Sequence, residues 1–120
     1  MATPTGLYGS FDLTARTIDA VIAVVTPGAY ALGTSSILDR THLEILYIGR
    51  SDDDVRARLK RHVGEYSHFQ YVLLPSALSA FEKECWLYHT FSPRDNILHP
   101  ARPQNVRCDC PVPGCTALFY

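Results

Sequence analysis

Residues 28–62 have the sequence GAYALGTSSILDRTHLEILYIGRSDDDVRARLKRH, and this stretch determines the central part of the predicted fold. Its two apolar runs, AYALG and LEILYIG, have the composition of strands, and a polar segment of roughly hairpin length separates them. They are therefore expected to be antiparallel neighbours. Each run places a tyrosine near a glycine, Tyr30 after Gly28 and Tyr47 before Gly49, and a basic segment follows directly.

After the hairpin, the sequence predicts a helix, a third strand and a second helix. A serine and three aspartates suit the beginning of the first helix, residues 51–62, because they can cap its free N–H groups. The run HFQYVLL at 68–74 predicts the third strand. The second helix is expected to begin at Ser76 or Ser79, with Ser79 and Glu82 as a capping box.

The predicted order is therefore β-β-α-β-α, which indicates an α+β fold with a small three-stranded antiparallel sheet flanked by helices. A chain of 120 residues fits one domain. Residues 27–96 form its core. Residues 1–26 are expected to be an N-terminal extension with one helix at about 12–24, and residues 97–120 are expected to be a loop-rich tail containing cysteines.

Composition excludes several classes of protein. Hydrophobic residues make up 47% of the chain, too many for a disordered protein, and no apolar run is long enough to span a membrane. The net charge of −1 argues against a uniformly basic nucleic-acid binder, although five of the eleven basic residues lie between positions 50 and 61. The expected location is the cytoplasm, because the short run AVIAVV is a poor signal peptide.

One carboxylate lies on the apolar face of the second predicted helix. At about 100° per residue, Glu84 shares a face with Phe81 and Leu87, whereas Glu82 points nearly the opposite way and is expected to be exposed. A carboxylate in an apolar stripe is costly unless it is paired or binds a metal. A buried Glu–Arg pair and a metal ligand both satisfy this requirement.

The first predicted helix carries an arginine and a histidine on the same side. Arg58 and His62 are four residues apart, so their side chains lie one turn from each other at the edge of the buried stripe. The two tyrosines of the hairpin would face them. The tyrosines could also be ordinary cross-strand packing aromatics, but two beside glycines favour a site.

These residues together resemble the motifs of the GIY-YIG nuclease superfamily. The matching positions are Gly28-Ala29-Tyr30, Tyr47-Ile48-Gly49, Arg58, His62, Glu84 and Asn96. The first motif departs from the superfamily pattern by Ala29 in place of isoleucine. The segment after Gly49 is one residue longer than in some members, which leaves Arg56 as an alternative to Arg58. The resemblance covers about residues 27–96, which it identifies as a catalytic core.

The resemblance implies a metal-dependent endonuclease that hydrolyses phosphodiester bonds in nucleic acid, DNA rather than RNA. Glu84 would hold one Mg²⁺ or Mn²⁺ ion, because such ions accept few protein oxygens besides water and phosphate. Arg58 would stabilise developing negative charge, and Arg50 would bind a neighbouring phosphate. Tyr30 would be the general base and Tyr47 a positioning group, although either tyrosine could fill the first role.

The same resemblance assigns supporting roles. His62 would shuttle a proton or hold a tyrosine, and Gly28 and Gly49 would let the backbone approach the phosphate. Asn96 is counted with the substrate-binding positions, where it ties its loop to the site. A domain this small is expected to work as a homodimer or in a larger nuclease assembly. The alternative function is a non-catalytic module of the same fold that binds nucleic acid or protein.

The cysteines of the tail suggest a second metal site. In a cytoplasmic chain they indicate metal binding or free thiols before disulfides. Cys110 and Cys115 have the spacing of a zinc loop, and two residues four apart on the second helix complete a Zn²⁺ site. The expected ligands are Cys85, His89, Cys110 and Cys115. Cys108 or His99 could replace one of them, and the alternative is a metal-free tail with reduced thiols.

Overall fold

The computed structural model of the protein describes residues 5–35 and 43–115. These residues form four strands and three helices. The strands are β1 (Tyr8–Asp12), β2 (Gly28–Ser35), β3 (Leu43–Ser51) and β4 (His68–Leu73), and the helices are α1 (Ala15–Val21), α2 (Val55–Lys60) and α3 (Ala77–Phe91). Most of the polar segment that separates the two hairpin strands, and the end of the tail at 116–120, lie outside the described residues.

The sheet is antiparallel and has the strand order β1-β4-β2-β3, so the prediction of three strands was wrong. The additional strand, β1, comes from the segment expected to be an N-terminal extension, and it pairs with β4. Its sequence, YGSFD, has no clear alternation of apolar and polar residues, so no pattern predicted it. Pairing supplies hydrogen-bond partners to the edge of β4, which would otherwise be open.

The predicted hairpin is confirmed, and its register brings the two tyrosines to one face of the sheet. Tyr30 pairs with Gly49 and Leu32 pairs with Tyr47, so Tyr30 and Tyr47 project to the same side. On that side α1 and α2 cover a core that includes Leu32, Leu59 and Phe69.

Helix α3 covers the opposite face of the sheet. Leu87 of this helix packs with Ala29, Ala31 and Ile48 of the central hairpin. β3 is an edge strand of the sheet, so side chains from both faces can meet around it. The candidate site lies beside this strand.

The helix boundaries differ from the predicted ones at several ends. Asp54 is the N-cap of α2, and the helix itself is shorter than the predicted 51–62. The capping box of α3 joins Ser76 and Ser79, not Ser79 and Glu82, because the helix begins one turn earlier. α1 is likewise shorter than 12–24. No helix in the described part of the chain is both long and apolar enough to cross a membrane.

Candidate functional site

A cleft of about 590 Å³ opens beside the edge strand β3. Its walls contain most of the side chains that the sequence predicted for the site. The lining residues are Tyr30, Tyr47, Gly49, Arg50, Asp52, Asp53, Arg58, Ala77, Glu84, Ala101, Pro103 and Gln104. The tyrosines come from the hairpin, Arg58 from α2 and Glu84 from α3. Four elements, β2, β3, α2 and α3, therefore supply one cleft.

Tyr30, His62 and Glu65 form a chain of hydrogen bonds at one side of the cleft. The Tyr30 hydroxyl lies 3.0 Å from His62 Nε2, and His62 Nδ1 lies 3.0 Å from Glu65 Oε1. The tautomer with its proton on Nδ1 satisfies both contacts, because Nδ1–H donates to Glu65 and Nε2 accepts from Tyr30. Glu65 is exposed, so the chain leads from a buried phenol to solvent.

The two tyrosines differ in burial. Tyr30 is 1% exposed, and this burial raises the pKa of its phenol well above the ordinary value, with a further contribution from Tyr47. Burial also raises the pKa of Tyr47, which is less enclosed, and Glu84 adds to the effect. The nearby Arg58 opposes the rise at both tyrosines. A phenol in this setting keeps its proton, so Tyr30 can accept another only by passing its own to His62.

Glu84 is buried and paired with an arginine. It is 7% exposed, and its Oε1 accepts a hydrogen bond of 2.7 Å from an Arg50 guanidinium N–H. Arg50 also donates to Asp52 at 2.6 Å, and its guanidinium lies 5.2 Å from the centre of the Phe81 ring. The buried Glu–Arg pair considered from the sequence is therefore present. Glu82, expected to be exposed, is half-buried.

Burial raises the pKa of the Glu84 carboxyl to about 7, although the positive charge and hydrogen bond of Arg50 act in the opposite direction. At this pKa, the protonation state of the carboxyl group depends on any cation beside it, because a positive charge favours the ionised form.

The structure separates the two arginines that the sequence left as alternatives. Arg58 lines the cleft, whereas Arg56 points to Asp19 of α1, with 4.0 Å between nitrogen and oxygen. Lys60 contacts the same carboxylate at 2.7 Å. His62, expected to share the helix with Arg58, lies beyond the end of α2 in the turn that follows.

Steric packing accounts for both motif glycines, Gly28 and Gly49, without any contact to a phosphate. A Cβ atom at Gly49 would lie 2.6 Å from the Tyr30 ring, and one at Gly28 would lie 2.6 Å from the backbone oxygen of Val72. Gly49 also lines the cleft, but Gly28 is buried between β4 and α2. Gly28 therefore acts through packing.

Asn96 connects the segment after α3 to the edge strand. Its side-chain oxygen accepts a hydrogen bond of 2.7 Å from the Ile48 N–H, and its amide donates to the Ile48 carbonyl at 2.8 Å. Both the oxygen and the N–H of the side-chain amide are therefore hydrogen-bonded to the backbone of Ile48, between Tyr47 and Gly49. Asn96 positions the strand that carries the second tyrosine and does not line the cleft.

A cluster of histidine and cysteine side chains lies at the C-terminal end of α3. Its members are His89, His99, Cys110 and Cys115, and their ligand atoms all lie within 4.8 Å of one another. This cluster could hold a metal ion. His99 occupies the place that the sequence assigned to Cys85. Cys85 is fully buried, and its thiol contacts Cys110 from inside the core.

Three distances in the cluster are close to those of tetrahedral ligation. His89 Nε2 lies 3.2 Å from His99 Nε2 and 3.5 Å from Cys110 Sγ, and Cys115 Sγ lies 3.4 Å from His99 Nε2. Metal–nitrogen bonds of about 2.0–2.1 Å and metal–sulfur bonds of about 2.3 Å in a tetrahedron give separations of roughly 3.3–3.8 Å. His99 Nδ1 contacts the Pro100 carbonyl at 2.9 Å, which orients the ring.

Sequence reasoning missed two parts of the site. Glu65 follows His62 by three residues, a spacing that could have indicated their contact. The tail residues Ala101, Pro103 and Gln104 had no such signal, because the path of an irregular segment does not follow from its sequence. The tail loop, defined as residues 100–109, forms a wall of the cleft through these three positions.

No protein-family model, curated protein or solved structure matches this chain.

Proposed function

We propose that the protein is a metal-dependent endonuclease of the GIY-YIG type, which hydrolyses phosphodiester bonds in nucleic acid, DNA rather than RNA. The observation that carries this proposal is the convergence of Tyr30, Tyr47, Arg58 and Glu84 on one cleft. These residues also match the motifs of the superfamily in order. Two phenols, a guanidinium and a buried carboxylate beside one another suit a phosphodiester better than a neutral ligand.

In the proposed reaction, Tyr30 accepts a proton from the attacking water while its own proton passes to His62. The 3.0 Å contact between them supports this transfer, because it lets Tyr30 act without first becoming a phenolate. The carboxylate of Glu65 stabilises the imidazolium that forms. Tyr47, whose ring centre lies 5.5 Å from that of His62, orients the water.

Two arginines and a cation site would balance the charge of the phosphate. Arg58 stabilises negative charge that develops on the phosphoryl oxygens, and Arg50 contacts a neighbouring phosphate beside Glu84. Glu84 would hold one Mg²⁺ or Mn²⁺ ion, and its buried oxygen donor at the cleft wall fits such an ion. When bound, this ion polarises the phosphoryl group and stabilises the leaving oxygen.

The ion proposed for the histidine and cysteine cluster is zinc. Two imidazole nitrogens and two thiolates form a complete tetrahedral set, which is typical of a structural zinc site. It leaves no open position for catalysis. Its role is therefore to hold the tail against α3.

The test is cleavage of plasmid DNA with Mg²⁺ or Mn²⁺ by the wild type and by Glu84→Gln. Glu82→Gln is the matched control, because it changes a glutamate two residues away that does not line the cleft. We expect nicking by the wild type and the control, and loss of nicking by at least about 10² in Glu84→Gln.

Equal nicking by all three proteins would contradict the role of Glu84. Absence of nicking by the wild type on DNA and RNA of varied structure would contradict the endonuclease. In that case the fold would serve as the binding module that the sequence left as the alternative. Thermal unfolding of each variant checks that it remains folded. Arg50 keeps Asp52 as a partner when Glu84 is changed.

A further inference from the structure

The tail loop is closed at its base by the metal cluster. Residues 100–109 begin directly after His99 and end directly before Cys110, and both of these residues belong to the cluster. One bound ion would therefore fix both ends of the loop at a single point. His89 in the same cluster lies on α3, the helix that also carries Glu84.

The backbone gives the tail little other support. Over residues 103–115, in the described part of the chain, the two backbone hydrogen bonds are local. Val106 N–H donates to Pro103 and Cys115 N–H donates to Val112. Ordering a residue costs roughly 1–2 kcal/mol of conformational entropy, and two local bonds do not offset this cost over the segment. Ligation by the cluster would add a connection strong enough to do so.

The loop is held where it can reach a ligand in the cleft. Ala101, Pro103 and Gln104 line the same cleft as Arg58 and Glu84. Pro103 is buried and supports the loop, whereas Ala101 and Gln104 are exposed. The metal cluster thus has a direct structural link to one wall of the proposed active site.

Gln104 carries the chemistry that this wall can offer. Its amide makes no hydrogen bond to the residues that the structure describes, although it has donors and an acceptor. Such an amide can bond to a phosphate, a sugar or a base edge. Arg107 is exposed on the same loop and adds a positive charge to it.

We propose that the tail loop is a substrate-binding arm: zinc in the His89, His99, Cys110 and Cys115 cluster holds it at the cleft, and Gln104 contacts the bound nucleic acid. This inference rests on the proposed function for the identity of the ligand. It assigns the zinc ion a part in substrate binding, in addition to its part in stability.

The experiment compares the wild type with Cys115→Ser, Gln104→Ala and Cys108→Ser. Cys108→Ser is the matched control, because Cys108 belongs to the same loop but not to the cluster. Zinc content is measured by elemental analysis, and order in the loop by amide hydrogen exchange of residues 100–109. Affinity for a short fluorescein-labelled DNA duplex is measured without Mg²⁺, so that binding occurs without cleavage. The same measurements are made on wild type from which a chelator has removed the zinc, so that zinc loss is tested without a substitution.

We expect Cys115→Ser and the stripped wild type to lose zinc, to exchange faster at residues 100–109 and to bind DNA about threefold to tenfold more weakly. Gln104→Ala should retain zinc, and its loop should still exchange slowly, but it should bind DNA more weakly. Cys108→Ser should behave as the wild type.

Zinc loss without faster exchange of the loop would overturn the inference, whether or not the chain binds DNA. Faster exchange with unchanged affinity would overturn the contact with substrate while leaving the proposed function intact. Absence of DNA binding by every form, zinc-loaded wild type included, would overturn both.

Discussion

The hydroxyl of Tyr30 lies 3.0 Å from Nε2 of His62, although 32 residues separate them in the chain. Tyr30 projects from β2 into the core below α2, and His62 follows the end of that helix. The pair is stabilised by the neighbouring Glu65, which contacts the other ring nitrogen. A buried phenol is thereby linked to a proton acceptor and to solvent, and this link makes a tyrosine base chemically reasonable.

Substitution of the two tyrosines should separate their roles. Tyr30→Phe removes the hydroxyl that contacts His62, so single-turnover cleavage should slow by about 10²–10⁴. Tyr47→Phe should have a smaller effect, because in the proposed reaction its hydroxyl only orients the water. Equal losses, or a larger loss for Tyr47→Phe, would assign the base to Tyr47.

Glu65 should influence the reaction through His62. Glu65→Gln removes the charge that stabilises the imidazolium, and we expect a loss in cleavage rate of about tenfold with unchanged DNA affinity. Glu44→Gln is the control, because Glu44 is an exposed glutamate on β3 away from the cleft. Similar rates for both variants would show that the contact of Glu65 with His62 has no part in proton transfer.

Arg58→Ala should reduce the cleavage rate by about 10²–10³, because the variant loses a positive charge that would face the phosphate in the proposed complex. Arg56→Ala should leave the rate within about threefold of the wild type, since Arg56 lies toward Asp19. Both rates are measured at saturating DNA. A severe loss for Arg56→Ala alone would mean that the wrong arginine has been assigned.

The zinc ligands can be identified by comparing His99→Ala with Cys85→Ala. His99→Ala removes a ligand, so the protein should contain well below one zinc per chain and should have a lower Tm. Cys85→Ala should keep about one zinc, because its thiol lies in the core and outside the ligand set. Elemental analysis after purification without chelator provides the measurement. The opposite result would restore Cys85 as a ligand.

Tyr66 should make stability depend on pH in alkaline solution. Its hydroxyl donates to Asp95 at 2.7 Å, and burial together with this carboxylate raises the pKa of Tyr66 to about 12. In the unfolded chain a tyrosine has a pKa of about 10. Its contribution to the free energy of unfolding is therefore complete below about pH 10 and is lost as the pH rises toward about 12.

Tyr66→Phe lacks this titration, so the difference in free energy of unfolding between wild type and variant should shrink from about pH 8 to about pH 11. Urea denaturation at both values measures the difference. The other tyrosines titrate in both proteins and cancel. A difference that stays constant with pH would contradict a raised pKa at Tyr66.

The local pattern of the sequence was sufficient for the central hairpin, the helices α2 and α3, and the position of Glu84 on an apolar face. These features depend on residue periodicity and on caps, which are properties of neighbouring residues. The resemblance to the GIY-YIG motifs, and not periodicity, indicated that Tyr30, Tyr47, Arg58 and Glu84 belong to one region. β1 was missed because a short edge strand with Gly9 and Ser10 has no periodicity to detect.

Tertiary structure alone decided which side chains meet. Arg50 pairs with Glu84 across 34 positions, and His99, not Cys85, completes the metal cluster. The tail loop likewise reaches the cleft through contacts between segments that are distant in the sequence. Local propensity determines which face of a helix or strand is buried, but contacts between distant segments follow from how those faces pack and which buried polar groups find partners. An irregular segment has no such face, so its path follows from the side chains that anchor it.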